Sequence, residues 1–270
     1  MIRDTYHDDK TRISKSGLDL VSISPLHYWQ AHLAPPDQRV IKRSKDFDLG
    51  IALHIMVFEF DDWPNRHAIK PEVDMRTKYG REKMMEFSDE HAGKVLIKSK
   101  ELVTVQRMRD ALFRHKNARS ALTGKMLTEH VVKWEDSTTG APCKCRFDCI
   151  NLTKGVAPDL KSTADASPAA FAKSMANFRY HVQNAFYMDG YFESGDFMDA
   201  LDMDFLFIAV EKEPPYSVEI YQLEQEDVDF GRAVYRRDLK RYMEARTSNK
   251  WPSYSDGGIN AISLPKWAKF

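Results

Sequence analysis

Apolar residues in the first part of the chain recur at intervals of three and four, the spacing that places them on one face of an α-helix. Ser14 and Ser16 are suited to cap a first helix, and Pro25 is suited to open a second. A third helix is predicted over residues 47–60, and helical spacing returns over residues 81–122. This part of the chain is therefore predicted to be mostly helical.

The pattern changes to that of β-strands after residue 126. Alternation and β-branched residues predict five strands, over residues 127–134, 143–150, 156–162, 204–211 and 216–222. One face of the second strand is predicted to carry Cys143, Cys145, Phe147 and Cys149. Its other face is predicted to carry Lys144, Arg146 and Asp148. Further helices are predicted over residues 167–192 and 225–245.

This order of elements predicts an α/β fold, in which a small mixed β-sheet is flanked by helices and preceded by a helical elaboration. Glycine and proline number only 12 each, and no stretch has the composition of a flexible linker. We therefore expect one domain over residues 1–270, with a helical part at 1–122, an α/β core at 123–225 and a C-terminal helix and tail at 226–270.

The charged residues balance, because the chain has 40 Lys and Arg residues and 40 Asp and Glu residues. Nucleic-acid-binding proteins often carry a basic excess, but a cleft can be locally positive on a neutral protein. No apolar run approaches the roughly 20 residues of a membrane-spanning helix, and the N-terminal residues form no apolar signal core. We expect a cytoplasmic protein with no membrane partner.

The three cysteines, Cys143, Cys145 and Cys149, lie close together in the sequence. An odd number of cysteines argues against a disulfide framework. Their C-x-C-x3-C spacing also differs from the paired C-x2-C motifs of zinc sites. They are predicted to be small apolar residues of one strand face.

Candidate chemistry is concentrated in the hairpin of the second and third predicted strands. If the turn lies near Thr153 and Lys154, antiparallel pairing places Asp148 opposite Asp159 on the same face. Lys161 lies two residues beyond Asp159 and shares that face. Two neighbouring carboxylates favour a divalent cation such as Mg²⁺, and a cation beside a lysine can hydrolyse a phosphodiester. A solvated polar face is the alternative interpretation.

Motifs around this hairpin occur in the order typical of one nuclease superfamily. They are S-K-S-G-L and S-P-L-H-Y-W at residues 14–29, G-I-A-L-H at 50–54, R-F-D at 146–148, D-L-K-S-T at 159–163 and Y-H-V-Q-N-A-F-Y at 180–187. The chain resembles the PD-(D/E)XK nucleases, and among them the exonuclease VIII-like and phage-type 5′→3′ DNA exonucleases. Asp148 aligns with the aspartate of the "PD" element, and Asp159 stands where many members have glutamate.

The resemblance implies a restriction-endonuclease-like core and a set of site residues. The implied metal ligands are His54, Asp148, Asp159 and the carbonyl of Leu160. Lys161 would position the attacking water, and Gln183 and Tyr187 would contact DNA or support the site. Taken alone, His54 and Tyr187 are also compatible with core positions. Glu129 is compatible with a role beside the metal and with a surface position on an edge strand.

The resemblance further implies an exodeoxyribonuclease that uses Mg²⁺, or Mn²⁺ in its place, to digest DNA from double-stranded ends in the 5′→3′ direction. It implies a ring-shaped homo-oligomer, a trimer or tetramer, that acts in phage-type homologous recombination with a single-strand annealing protein. The alternatives are an endonuclease of the same superfamily and a non-catalytic DNA-binding protein with this fold. The intact Asp148, Asp159 and Lys161 set favours an enzyme.

Overall fold

The computed structural model describes residues 5–39, 45–195, 203–255 and 257–268, so most of the N-terminal segment considered for a signal core lies outside the described residues. The helices are α1 (Thr5–Asp8), α2 (Lys15–Ile23), α3 (Pro25–His32), α4 (Lys45–Phe58), α5 (Trp63–Arg66), α6 (Lys78–Glu90), α7 (Ser99–Arg114), α8 (Lys116–Ala121), α9 (Pro168–Asn177), α10 (Tyr180–Glu193) and α11 (Gln225–Ser248). The strands are β1 (His67–Ile69), β2 (Val95–Ile97), β3 (Met126–Glu135), β4 (Pro142–Asn151), β5 (Val156–Thr163), β6 (Asp204–Glu211) and β7 (Val218–Tyr221).

Five strands form the main sheet, in the order β3-β4-β5-β6-β7. Strands β5 and β6 are parallel, whereas the other neighbours are antiparallel. The connection between the parallel strands contains α9 and α10, because parallel neighbours require a long crossover. The predicted α/β class, a small mixed sheet flanked by helices, is therefore confirmed. Strands β1 and β2, which were not predicted as strands, form a separate parallel pair.

Each face of the main sheet has its own apolar core. Neighbouring residues of β6 belong to different cores, as the alternation of a strand requires: Phe207 packs in the first and Ile208 in the second. The first core also contains Phe186 of α10, and the second contains Leu53 of α4. Helices α10 and α4 therefore lie on opposite faces of the sheet, and each carries a predicted site residue.

Two glycines allow α10 to approach its neighbours closely. A β-carbon at Gly231 of α11 would lie 2.2 Å from the carbonyl oxygen of His181. A β-carbon at Gly190 would lie 2.6 Å from the ring of Trp134 in β3. The position of α10, and of the Gln183 side chain that it carries, is thus determined by close packing on two sides.

The single helix predicted over residues 167–192 is wrong, because the structure has α9 and α10 with a break between them. Arg179 adopts a left-handed φ of 55° at the break. Its guanidinium group lies 3.0 Å from Asp19 Oδ1 and also contacts Asp238, which is fully buried. These tertiary ion pairs stabilise a backbone conformation that local helical spacing does not reveal.

The continuous helical stretch predicted over residues 81–122 is also interrupted. Helix α6 ends at Glu90, and Gly93 adopts a left-handed φ of 86°. The apolar residues that follow form β2, which pairs with β1 before α7 begins. A three-residue apolar run is too short to be assigned to a helix or a strand from its periodicity.

All three cysteines are free and fully buried, but they do not share one face of the sheet. Cys143 and Cys145 pack in the first core, whereas Cys149 packs in the second. The alternation changes phase at Asp148, opposite which Glu129 of β3 adopts a left-handed φ of 50°. The predicted single face is therefore wrong for Cys149.

Among the described residues, the helices are too short or too polar for any of them to cross a lipid bilayer.

Candidate active site

The candidate site lies where β4 and β5 separate. The two strands pair at Asn151 and Val156, and the side chain of Asp148 enters the gap that follows. Asp148 Oδ2 accepts a hydrogen bond from the backbone nitrogen of Leu160 at 2.9 Å. A carboxylate oxygen therefore takes the place that a backbone carbonyl would have in a regular antiparallel ladder.

The residues at this gap line a cleft of about 910 Å³. The predicted site residues all line it: His54, Asp148, Asp159, Leu160, Lys161, Gln183 and Tyr187. His54 reaches the gap from α4 on one face of the sheet, and Gln183 reaches it from α10 on the other. His54 and Gln183, which are 129 positions apart in the sequence, thus meet at one opening in the sheet.

One cluster in the cleft has the donor set of a metal site. His54, Glu129 and Asp148 each offer a ligand atom, and these atoms lie within 4.8 Å of one another. The Nε2 atom of His54 lies 2.9 Å from the carbonyl oxygen of Leu160, and Nδ1 lies 3.5 Å from Asp148 Oδ2. Because a carbonyl can only accept, Nε2 carries the hydrogen and Nδ1 is free to act as a ligand. The Leu160 carbonyl, predicted as a ligand, orients His54 in this arrangement.

The cluster fits a hard divalent cation. It combines one imidazole with two carboxylates, and carboxylate oxygens are the ligands that Mg²⁺ and Mn²⁺ prefer. Burial raises the pKa of Glu129; the Arg146 guanidinium, with Nε 3.0 Å from Glu129 Oε2, opposes this rise, and the Asp148 carboxylate adds to it. A bound cation would favour the ionised form of Glu129 and relieve the repulsion between it and Asp148.

Asp159, Lys161 and Gln183 form a second group beside this cluster. The ammonium nitrogen of Lys161 lies 2.5 Å from Asp159 Oδ2 and donates a hydrogen bond to Gln183 Oε1 at 3.1 Å. The amide nitrogen of Gln183 donates to Asp159 Oδ1. The three side chains therefore form a closed ring of polar contacts.

Burial and charge act differently on the two ionisable members of this ring. Burial raises the pKa of Asp159, which is only 3% exposed. Burial would lower the pKa of Lys161, but the carboxylates of Asp159 and Asp148 overcome it and raise that pKa. Lys161 is therefore held as an ammonium ion, which can donate hydrogen bonds but cannot accept a proton.

Aromatic rings form part of the cleft wall. The Lys161 ammonium lies 4.6 Å from the centre of the Tyr180 ring, within the range of a cation–π contact. Tyr187 packs edge-on against Phe147 of β4, with ring centroids 5.1 Å apart. Tyr187 thus belongs both to the edge of the first core and to the cleft. A core position and a role in the site, the two interpretations of Tyr187 that the sequence left open, are therefore compatible.

The charges that line the cleft are balanced. The cations are Lys15, Arg66, Arg146, Lys161 and Arg179, and the carboxylates are Asp19, Glu59, Glu129, Asp148 and Asp159. The side chains of the cleft therefore do not by themselves give the locally positive surface that a neutral protein can have. Three further lysines, Lys70, Lys98 and Lys100, line a separate pocket and do not line the cleft.

Sequence reasoning left the place of Glu129 open and did not assign Arg146 to the site. Arg146 could have been found, because it alternates with Asp148 on the polar face of β4. The inward position of Glu129 depends on its left-handed backbone, for which glutamate gives no signal.

Residues 14–264 match the profile of a family described as "PDDEXK-like domain of unknown function (DUF3799)". The chain belongs to this family. The resemblance to the PD-(D/E)XK superfamily is therefore confirmed over nearly the whole chain, and it supports a nuclease.

The fold is similar to a crystal structure from Eubacterium rectale described as "Putative exonuclease". The match has a TM-score of 0.62 at 11% identity and covers 100% of this chain and 97% of the other. A match to the crystal structure of SSO0001 covers 76% of this chain and 88% of that one at 15% identity, with a TM-score of only 0.30. No curated protein gives a significant match to the sequence.

Proposed function

We propose that this protein is a metal-dependent exodeoxyribonuclease that hydrolyses phosphodiester bonds at double-stranded DNA ends. One observation carries the proposal: the His54, Glu129 and Asp148 cluster opens into the same cleft as the Asp159–Lys161 pair. Carboxylates that can hold a cation, beside a fixed ammonium, are the equipment that phosphodiester hydrolysis requires. Membership of a PDDEXK-like family supports the same chemistry.

We assign the cation, Mg²⁺ or Mn²⁺ in its place, to His54, Glu129 and Asp148. When bound, it stabilises negative charge on the phosphoryl group and makes water more acidic. Asp159 and the Leu160 carbonyl, predicted as further ligands, are engaged by Lys161 and by His54 respectively. Their direct ligation stays a prediction.

The chain's own residues position the reactants around the phosphate. Lys161 has three N–H donors, of which two point to Asp159 and Gln183. The third is available to the attacking water or to a phosphoryl oxygen. Because Asp159 and Gln183 hold the ammonium from two sides, the water can be oriented with little loss of side-chain entropy at the moment of reaction.

The finer features of the proposal rest on the motif resemblance. They are the 5′→3′ direction, the role in phage-type homologous recombination, the ring of three or four copies and the single-strand annealing partner. A ring would surround DNA with several clefts. Only the surface that faces the DNA would then need to be positive, which suits a chain without net charge.

The proposal is tested on linear duplex DNA labelled at the 5′ or the 3′ end, and on closed circular plasmid. Each substrate is incubated with Mg²⁺ or EDTA, using the wild type, Lys161→Ala and the matched control Lys173→Ala. Lys173 is an exposed residue of α9 outside the cleft. We expect metal-dependent loss of label from the 5′ ends, an intact circle, an inactive Lys161→Ala and an active Lys173→Ala.

Other outcomes identify the alternatives. Cleavage of the closed circle would indicate an endonuclease with the same site. Binding of DNA without cleavage by the wild type in Mg²⁺ would indicate a non-catalytic DNA-binding protein.

A further inference from the structure

A series of aromatic rings leads from Lys161 to the exposed rim of the cleft. The Lys161 ammonium lies 4.6 Å from the centre of the Tyr180 ring. The ring of Tyr180 stacks on that of Phe178, with centroids 5.7 Å apart and planes at 27°. Phe178 lines the cleft, yet its side chain is 59% exposed. The series therefore ends in an aromatic ring that is open to solvent inside the candidate active site.

The backbone holds Phe178 in this place. Phe178 directly follows the last residue of α9, and Arg179, which directly precedes α10, has a left-handed φ of 55°. The carbonyl oxygen of Phe178 accepts a hydrogen bond from the Lys15 ammonium at 2.7 Å. The Arg179 guanidinium is anchored by Asp19 and Asp238. Contacts on both sides of the break thus fix an apolar ring at a charged cleft instead of burying it in a core.

The distance to the proposed reaction centre suits a nucleotide base. The two ring contacts put Phe178 no more than about 10 Å from the Lys161 ammonium. About three stacked nucleotides span such a distance, at roughly 3.4 Å each. A base on Phe178 would therefore lie within about three nucleotides of the phosphate beside Lys161.

We propose that Phe178, with Tyr180 behind it, is a stacking platform for an unpaired base next to the scissile phosphate. This inference rests on the proposed nuclease function and specifies its substrate: the strand that enters the cleft is unpaired at the position of Phe178. Aromatic stacking binds any of the four bases, because each has a π face. The platform would therefore hold the strand without selecting its sequence.

The test measures binding of single-stranded oligonucleotides in EDTA, which prevents metal-dependent cleavage. One abasic site is moved stepwise through the nucleotides nearest the 5′ end. The proteins are the wild type, Phe178→Ala, Phe178→Trp and the control Phe192→Ala. Phe192 has a similar exposure of 53% and lies on α10 outside the cleft.

We expect one abasic position to weaken binding by the wild type about tenfold, the size of one lost base–aromatic stack. Phe178→Ala should bind the intact strand about tenfold more weakly and show no further loss at that position. Phe178→Trp should retain the abasic effect, and Phe192→Ala should behave as the wild type. A 2-aminopurine base at the same position should be quenched by the wild type and not by Phe178→Ala.

An equal abasic effect in the wild type and in Phe178→Ala would overturn the platform, as would the absence of oligonucleotide binding by the wild type. A changed oligomeric state of Phe178→Ala with an unchanged abasic effect would assign the ring to a contact between copies. If the wild type degrades labelled duplex while Phe178→Ala keeps the abasic effect, the nuclease stands and the platform fails. If the wild type degrades no DNA in the labelled-duplex assay, the proposed function itself fails.

Discussion

Gln183 is joined to Asp159 by a hydrogen bond from its amide nitrogen to Asp159 Oδ1. Its amide oxygen accepts from Lys161 Nζ at 3.1 Å, so the orientation of the amide is determined by an anion on one side and a cation on the other. Gln183 is only 7% exposed, and it is carried by a helix that packs tightly on two neighbours. This residue therefore determines how far the carboxylate and the ammonium can move relative to each other.

Replacing Gln183 by Ala should lower the single-turnover rate of DNA cleavage by up to about 100-fold, the cost of misplacing a group that positions the reactants. The reason is that Asp159 Oδ1 loses its donor and Lys161 loses one of its two acceptors. Gln222→Ala is the matched control, because Gln222 donates at 2.8 Å to Asp204 on the exposed surface. Equal rates for the wild type and Gln183→Ala would contradict this role.

Divalent cations should stabilise the protein through the His54, Glu129 and Asp148 cluster. At a concentration about 100 times the dissociation constant, binding adds about 2.7 kcal/mol, which corresponds to a rise in Tm of about 5 °C for a chain of this length. Scanning fluorimetry with Mn²⁺ measures this shift. Glu129→Gln should weaken Mn²⁺ binding by at least about 10-fold to 100-fold, the effect of losing a residue that only supports a ligand.

The control for the metal site is Glu135→Gln, an exposed position on the same strand β3. It should leave the Mn²⁺ dependence of Tm unchanged. If Glu129→Gln also leaves it unchanged, Glu129 serves only to pair with Arg146.

Acid should destabilise the protein through His32, which lies against Tyr28 at a ring distance of 4.9 Å. Burial, together with the smaller effect of the nearby Lys10 and Lys144 charges, lowers the pKa of His32 to about 4. The unfolded chain has a histidine pKa near 6.5 and therefore binds more protons between about pH 4 and 6.5. The free energy of unfolding thus falls as the pH decreases through this window.

Urea unfolding of the wild type and His32→Gln across that window measures this effect. The slope of the free energy of unfolding against pH should differ between the two proteins by the amount that corresponds to the binding of nearly one proton. Parallel pH profiles for the two proteins would show that His32 does not contribute.

Three glycines should respond very differently to alanine. Gly231→Ala places a β-carbon 2.2 Å from a backbone carbonyl, so we expect a loss of about 3 kcal/mol or more, or failure to fold. Gly190→Ala meets the Trp134 ring at 2.6 Å and should destabilise by about 1–3 kcal/mol. Gly50→Ala meets only Ser162 Oγ at 3.7 Å and should stabilise α4 by up to about 1 kcal/mol. Urea unfolding should give this order, and a destabilised Gly50→Ala would contradict it.

The fold could be predicted where one periodicity governed a whole element. The strands of the main sheet and the long C-terminal helix α11 follow their predicted ranges closely, because strand-like alternation or helical spacing extends over most of each element. The break at Arg179 could not be predicted, because ion pairs to Asp19 and Asp238, 160 and 59 residues away, stabilise it. Contacts of that range have no local signature.

The candidate site was predicted where residues share a strand or a motif, and missed where the backbone departs from regular geometry. The hairpin placed Asp148, Asp159 and Lys161 together, and the structure brings all three to one cleft. The strands do not stay paired there, because the Asp148 carboxylate accepts from the amide of Leu160. Glu129 enters the cluster because its own backbone is left-handed, which the alternation of β3 does not predict.

That bond between Asp148 and the Leu160 amide has a consequence for how the family evolves. A buried amide without an acceptor costs about 1–3 kcal/mol, so Asp148 stabilises the sheet whether or not the protein cleaves DNA. A descendant under relaxed selection for catalysis should keep this aspartate as part of its architecture. Glu129, whose left-handed φ suits Gly or Asn better, should be replaced much earlier. Lineages that have lost activity will therefore be recognised by that position, while the first aspartate of the motif survives as a remnant of the fold.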